Sequence, residues 1–236
     1  MNKTEKKIKR IVVFTTGRQD WGILRSPVKR LARSHCFEIK LIAGGMACDK
    51  KFGSLSQLIE SEGFKIHEKL SWKTGVDSDL AREASAALLM SSDLMKKVLP
   101  DAVMLLGDRF ETLSIAFAAS LLRIPIIHLH GGEETLGAMD NQFRNAISKL
   151  SHIHFVSHRI YANRLIQMGE NPNSIFIVGA AGLDNMRRSD LPSLQSVLKD
   201  LGMRKKASEP LFLITYHPPT LMGNQSDEIK SIISAL

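Results

Sequence analysis

Cysteine is scarce in this chain of 236 residues: Cys36 and Cys48 are the only two, and they form no C-x-x-C pair. That excludes a disulfide framework and fits a reducing compartment. No apolar run approaches the length of a membrane span. The opening MNKTEKKIKR is too polar for a secretory signal, and the apolar stretch behind it covers only residues 11–14. A cytoplasmic location is the expectation. Aromatic residues amount to 6% and do not interleave with the basic ones, so the net charge of +8 does not read as a nucleic-acid site. The charge gathers in Lys3, Lys6, Lys7, Lys9 and Arg10 and again between residues 187 and 206, as a tail and solvated faces. Neither nucleic acid nor membrane is expected as a partner, although an excess of positive charge raises the local concentration of phosphorylated substrates.

What is present is a soluble globular composition, 44% hydrophobic and 24% charged, in a chain long enough for one large domain or one and a half ordinary ones. Short apolar runs at residues 11–15, 39–42, 64–67, 102–106, 124–127, 153–156 and 175–178 alternate with helical patterns. In residues 79–97, for example, Leu80, Ala84, Ala87, Leu88 and Met95 fall on one helical face. This alternation predicts an α/β fold, a Rossmann-like doubly wound parallel sheet whose strands are covered on both faces. The domain organisation follows: a basic tail over 1–10, a Rossmann-like domain over 11–186, a charged, proline-punctuated linker over 187–209, and the incomplete start of a second such domain over 210–236. There, residues 211–219 read as a strand followed by one helix ending at residue 236, and one strand with one helix cannot bury a sheet alone. Its apolar residues, including Leu211, Leu213, Ile229, Ile232 and Ile233, therefore call for docking onto the first domain or for association with another chain.

Several charged segments directly follow these strands, and in an open α/β sheet that edge is where ligands bind. Thr16-Gly17-Arg18-Gln19-Asp20 leads into a helix whose free amides suit an anion, but it is neither G-x-G-x-x-G nor a P-loop. Arg18 can fork onto a phosphate or carboxylate, and Asp20 either touches substrate or caps the helix. A glycine-rich turn ending at Asp49 follows the second strand. Gly107-Asp108-Arg109-Phe110-Glu111 sets a carboxylate and a guanidinium at a strand-to-helix junction, either as chemistry or as a cap with a surface ion pair. His128-Leu129-His130-Gly131-Gly132-Glu133-Glu134 has the H-x-H spacing of metal hydrolases, repeated at His152 and His154. Carboxylate ligands from other strand ends are not evident beyond Asp108, Glu133 and Glu134, so no metal is expected. Asp140 opens a helix with Arg144 one turn later, an arrangement that also suits a plain i,i+4 ion pair. His217 ends the last strand, as a phosphate contact or a loop residue.

Taken in order, these segments, with Gly45-Met46-Ala47-Cys48-Asp49, Arg144-Asn145-Ala146-Ile147-Ser148-Lys149-Leu150 and His217-Pro218-Pro219-Thr220, resemble the UDP-N-acetylglucosamine 2-epimerases, especially the hydrolysing branch that feeds sialic-acid-type sugar synthesis. The resemblance runs from about residue 11 to the end. It implies a two-domain GT-B-like architecture with a UDP-sugar in the cleft. It also implies removal of the C2 proton, expulsion of UDP, then addition of water to give N-acetylmannosamine, with no cofactor and in a homo-oligomer. By motif position Asp108, His130, Glu134 and Asp140 form the acid-base set, while Arg18, Asp20, Asp49, Arg109, Arg144 and His217 contact substrate. Two departures stand out: the family carries two consecutive acidic residues where this chain has Asp140-Asn141, and the second domain is only begun. The chain alone is then expected to be inactive. The rival readings are a GT-B glycosyltransferase and a non-catalytic nucleotide-sugar-binding or interaction fragment.

Overall fold

The computed structural model describes residues 8–49, 51, 53, 55–72, 79–204, 209–216 and 225–235. Seven strands form one sheet in the order β3-β2-β1-β4-β5-β6-β7. They are β1 (Lys9–Thr15), β2 (Phe37–Gly44), β3 (Ile66–Leu70), β4 (Ala102–Leu106), β5 (Ile126–Leu129), β6 (Ile153–Val156) and β7 (Ile175–Ile177). Every neighbouring pair runs parallel. All carboxyl ends therefore lie along one edge, and the chain's direction of travel across the sheet reverses between β1 and β4. That reversal opens a crevice between the loops that follow the two strands.

The helices between strands are α1 (Arg18–Ala32), α2 (Leu55–Ser61), α3 (Leu80–Val98), α4 (Phe110–Leu121), α5 (Asp140–Leu150) and α6 (Arg159–Gln167). Alternate residues of a strand face opposite sides, and β1 uses both for core. Val12 and Phe14 join Val103, Leu105, Leu94, Met95 and Ile115 beneath α3 and α4. Ile11 and Val13 join Met104, Leu106, Trp21, Leu24, Val28 and Ile59 beneath α1 and α2. The continuous apolar runs of β1 and β4 exist because both faces are buried, whereas edge strand β3 alternates half-buried with exposed residues and buries only Leu70. The helix predicted over 79–97 forms as α3, its first turn closed by Asp79, whose carboxylate accepts the Arg82 N–H at 2.7 Å.

Three expectations shift. β3 and β5 begin two residues later than their apolar runs suggest. For β5 this carries the strand through His128 to Leu129, so His128 lies inside the sheet. The glycine turn after β2 has a packing reason: a Cβ on Gly44 would stand 2.0 Å from the Trp72 ring, and on Gly45, at φ +55°, 2.6 Å from it. Trp72 is 1% exposed, so the turn must be bare for the ring to seat.

Beyond β7 a 3₁₀ strap, Ala181–Arg187, runs along α1, where the Ser26 hydroxyl donates to Asp184 Oδ2 at 2.6 Å. Then follows α7 (Leu194–Asp200). In the described part of the expected strand, residues 211–216, no strand forms: none of the seven described strands pairs with it, and Leu213 is left 94% exposed, while residues 217–219 lie outside the described residues. The helix expected after them is present as α8 (Gln225–Ala235), with Ile229 and Ile233 exposed. His217 lies outside the described residues.

Candidate active site at the carboxyl edge of the sheet

The loop after β1 is held from within. Asp20 turns back toward it, and its Oδ2 accepts the Thr16 N–H at 2.7 Å, the Thr16 hydroxyl at 2.8 Å and the Gly17 N–H at 3.1 Å. Burial pushes this carboxyl above its ordinary range against the pull of those donors. Asp20 thus reaches the cleft through the loop it shapes, while Arg18, at the first turn of α1, is exposed and carries no ion pair among the described residues. The Ala47 N–H donates to Thr16 O at 3.0 Å, which ties the glycine turn after β2 to this loop. Asp49 follows that turn, and its Oδ1 accepts the Lys51 N–H at 2.9 Å.

β4 delivers Gly107, whose φ of +80° suits glycine and turns the chain into α4. The next two side chains part company. Arg109 forks onto Glu111, with Nε–Oε2 at 3.1 Å and Nη2–Oε1 at 2.8 Å, and its Nη2 also meets Met46 Sδ at 3.3 Å. Asp108 pairs instead with Arg144 of α5, whose Nη2 donates to Asp108 Oδ2. Arg144 therefore does not form the i,i+4 pair with Asp140 that its spacing allows. Its side chain is 7% exposed. The guanidinium also reaches Thr135 Oγ1 at 3.3 Å and Asn141 Oδ1 at 3.4 Å, and its buried Nε has no partner among the described residues. Burial pushes the Asp108 carboxyl above its ordinary range, Asp140 adds to this, and Arg144 and Arg109 oppose it. Asp140 is the first residue of α5 rather than its cap, a position taken by Met139.

Asn141, where a second acid was expected, staples the loop before α5. Its Oδ1 accepts the Thr135 N–H at 2.8 Å while its Nδ2 donates to Thr135 O at 2.7 Å. A carboxylate can make the first of these bonds but not the second.

The two histidines of the H-x-H segment face different partners. His128 is fully buried, with Nε2 2.8 Å from Gly107 O and Nδ1 3.2 Å from Ser148 Oγ. A carbonyl only accepts, so Nε2 carries the proton. Burial pushes the imidazole down to about 4. His130, just past the strand, takes φ +62°, a left-handed conformation uncommon outside glycine, and its Nδ1 sits 2.6 Å from Glu133 Oε1. Glu134 leaves the cluster and pairs with Arg164 at 3.0 Å. Sequence reasoning chose Glu134 over Glu133; after two glycines, one residue decides which carboxylate returns beneath the ring. Among the described residues no group of three or more His, Cys, Asp and Glu side chains is gathered to hold a metal.

His128 makes a prediction about stability. Its pKa is depressed in the folded chain, so the unfolded chain takes up the proton first as pH falls. Its contribution is complete above about pH 6.5 and is lost as pH drops toward 4, at up to about 1.4 kcal/mol per pH unit. His154, buried and likewise pushed down, acts in the same sense. Urea unfolding at pH 7 and pH 5 should show a lower midpoint at pH 5, with a smaller difference in His128→Gln. Equal pH differences in parent and variant would remove His128 from this account.

With this geometry in place, the likeness to known proteins gains content. The family model described as UDP-N-acetylglucosamine 2-epimerase matches residues 29–236. The GDP/UDP-N,N'-diacetylbacillosamine 2-epimerase (hydrolyzing) of Campylobacter jejuni is 37% identical over 97% of this chain and 59% of its own. Polysialic acid biosynthesis protein P7 of Escherichia coli is 35% identical over 96% of this chain and 59% of its own. The chain thus spans about three fifths of these relatives. A crystal structure of a UDP-N-acetylglucosamine 2-epimerase superposes with a TM-score of 0.72 at 20% identity, over 83% of this chain and 55% of that one, which speaks for the fold. Family model and relatives together cover nearly the whole sequence, and the chain belongs to the UDP-N-acetylglucosamine 2-epimerase family.

Proposed function

We propose that the chain carries the sugar-side half of a hydrolysing 2-epimerase that works in the cytoplasm, as a homo-oligomer, on UDP-N-acetylglucosamine or a 2,4-diacetamido relative. The observation that carries this reading is the Asp108–Arg144 pair with Asp140 and the His130–Glu133 pair, on loops and on the first turns of α5 at the carboxyl edge of the sheet. In the proposed reaction a base takes the C2 proton, and the C–H electrons form a C1–C2 double bond as the C1–O bond breaks and UDP departs. Water then supplies hydroxyl to C1 and a proton returns to the opposite face of C2. Inversion needs proton-transfer groups in two places. His130 is one candidate, and Asp108, whose carboxyl is pushed upward by burial and by Asp140, is the other.

Arg144 fixes Asp108, and Arg109, whose charge Glu111 offsets, serves to orient the substrate rather than to attract its diphosphate. Arg18, which has no ion pair among the described residues, meets the diphosphate, with Asp20 shaping its loop, and Asp49 and His217 complete the substrate set. Glu134 acts through Arg164, at the rim. No metal or cofactor enters this scheme. Calorimetric titration of the purified chain with UDP-N-acetylglucosamine and with a UDP-2,4-diacetamido sugar tests it. Saturable binding of one of them, weakened by Arg18→Ala, is expected. Absence of binding to either would refute the reading.

A further inference from the structure

We infer that Glu133 and Ser157 form a positioning pair that fixes His130 as its Nδ1–H tautomer, so that Nε2 is presented as the proton acceptor of the site. The chemistry rests on the epimerase reading; the geometry does not. Glu133 Oε1 lies 2.6 Å from His130 Nδ1 and 2.6 Å from Ser157 Oγ. Burial pushes the Glu133 carboxyl up, but the bonds from His130 and Ser157 outweigh it and hold the group below its ordinary range, so it is ionised at neutral pH. An ionised carboxylate only accepts. The Ser157 hydroxyl and the His130 Nδ1–H must then both donate to it, and a neutral His130 keeps its lone pair on Nε2.

His128 shows the contrast two residues earlier. Its Nε2–H is committed to Gly107 O, so the two histidines of one motif hold opposite tautomers. His128 is sealed in the sheet, whereas the His130 side chain is 16% exposed and its Nε2 has no partner among the described residues. The backbone accounts for the difference. The left-handed turn at His130 and the φ of +72° at Gly132 fold the loop back so that residue 133 lands beneath the ring. Gly132 cannot be replaced cheaply, since a Cβ there would stand 2.5 Å from Tyr161 O. Ser157 comes from the residue just after β6, the strand beside β5, so the sheet itself brings the third group into place. In the reaction the C2 proton passes to Nε2, and Glu133 offsets the positive charge that the ring acquires. The C–H electron pair goes into the C1–C2 bond and UDP leaves with the C1–O pair.

Long-range ¹H–¹⁵N spectra of the ¹⁵N-histidine-labelled chain at pH 8 read the tautomer directly, without turnover. The expected result is Nδ1–H at His130 in the parent and a mixture dominated by Nε2–H in Glu133→Ala. An Nε2–H His130 in the parent, or no change in Glu133→Ala, would overturn the inference. Should Glu133→Ala not fold, the parent spectrum still decides the tautomer, and Glu133→Gln decides the role. In a longer protein that turns over, Glu133→Gln should lower kcat roughly 10–100-fold, the scale for losing an outer-shell orienting partner, with KM within about twofold and an altered pH profile. An unchanged kcat would reduce the pair to a loop staple. If no nucleotide sugar is turned over at all, the epimerase reading fails while the tautomer measurement still judges the pair.

Discussion

Asp108→Asn, made in a protein of the relatives' full length, is expected to cut UDP release by a factor of about 100 or more, the scale of losing an acid-base group. The chain should remain folded. Asn keeps an oxygen that can accept from Arg144, so the buried guanidinium retains that partner beside Thr135 and Asn141, whereas Asp108→Ala would remove it. What Asn cannot do is exchange a proton. Burial, with Asp140 beside it, holds the Asp108 carboxyl above the ordinary range, which brings its protonated and ionised forms closer in energy at working pH than for a free aspartate. Initial rates of UDP release, with circular dichroism to confirm folding, make the measurement. Near-normal release from a folded Asp108→Asn protein would take this residue out of the mechanism.

The sheet was legible because its central strands are buried on both faces, so residues 11–15 and 102–106 stand out as unbroken apolar runs flanked by charge. Chain order then sufficed to put Arg18, Asp49, Asp108 and His130 after parallel strands, hence along one edge. Residues 211–216 have the same apolar look yet form no strand, because a strand is a property of a pair and no described strand lies beside the run. Composition reports that a segment wants burial; it does not report that the burial partner is at hand.

The partners within the site were less legible, and for a geometric reason. Asp108 and Arg109 adjoin in sequence, but one turns to Arg144, 36 residues on, and the other to Glu111. Arg144 sits at i,i+4 from Asp140 and still chooses the carboxylate across the crevice. Spacing along a helix states which contacts are possible, and the neighbouring loop selects among them. Glu133 against Glu134 turns on backbone dihedrals at His130 and Gly132, and a left-handed histidine leaves no mark in composition. Asn141 reads in sequence as a lost acid; in the fold it is a two-point staple on Thr135 that an ionised carboxylate could not replace.

The purified 236-residue chain is expected to release no UDP from UDP-N-acetylglucosamine by itself. The argument is one of charge at the leaving group. As the C1–O bond breaks, negative charge grows on the diphosphate, and preorganised donors aimed at it usually supply the largest share of rate enhancement. Of the three arginines assigned to substrate, Arg109 is spent on Glu111 and Arg144 on Asp108, which leaves Arg18 on an exposed first turn of helix. A single exposed guanidinium works in high dielectric, where its attraction for a phosphate is about a kcal/mol at contact, far short of the 8 kcal/mol or more that typical enzymatic acceleration requires. The relatives that share this sequence are longer by about two fifths of their length, and a cleft closed from that side would exclude water and add donors. A sensitive coupled assay for UDP, on a preparation free of any longer enzyme, decides the matter. Steady release at rates typical of an enzyme would mean that Arg18 and the groups of this one edge suffice, and the leaving-group argument would have to be abandoned.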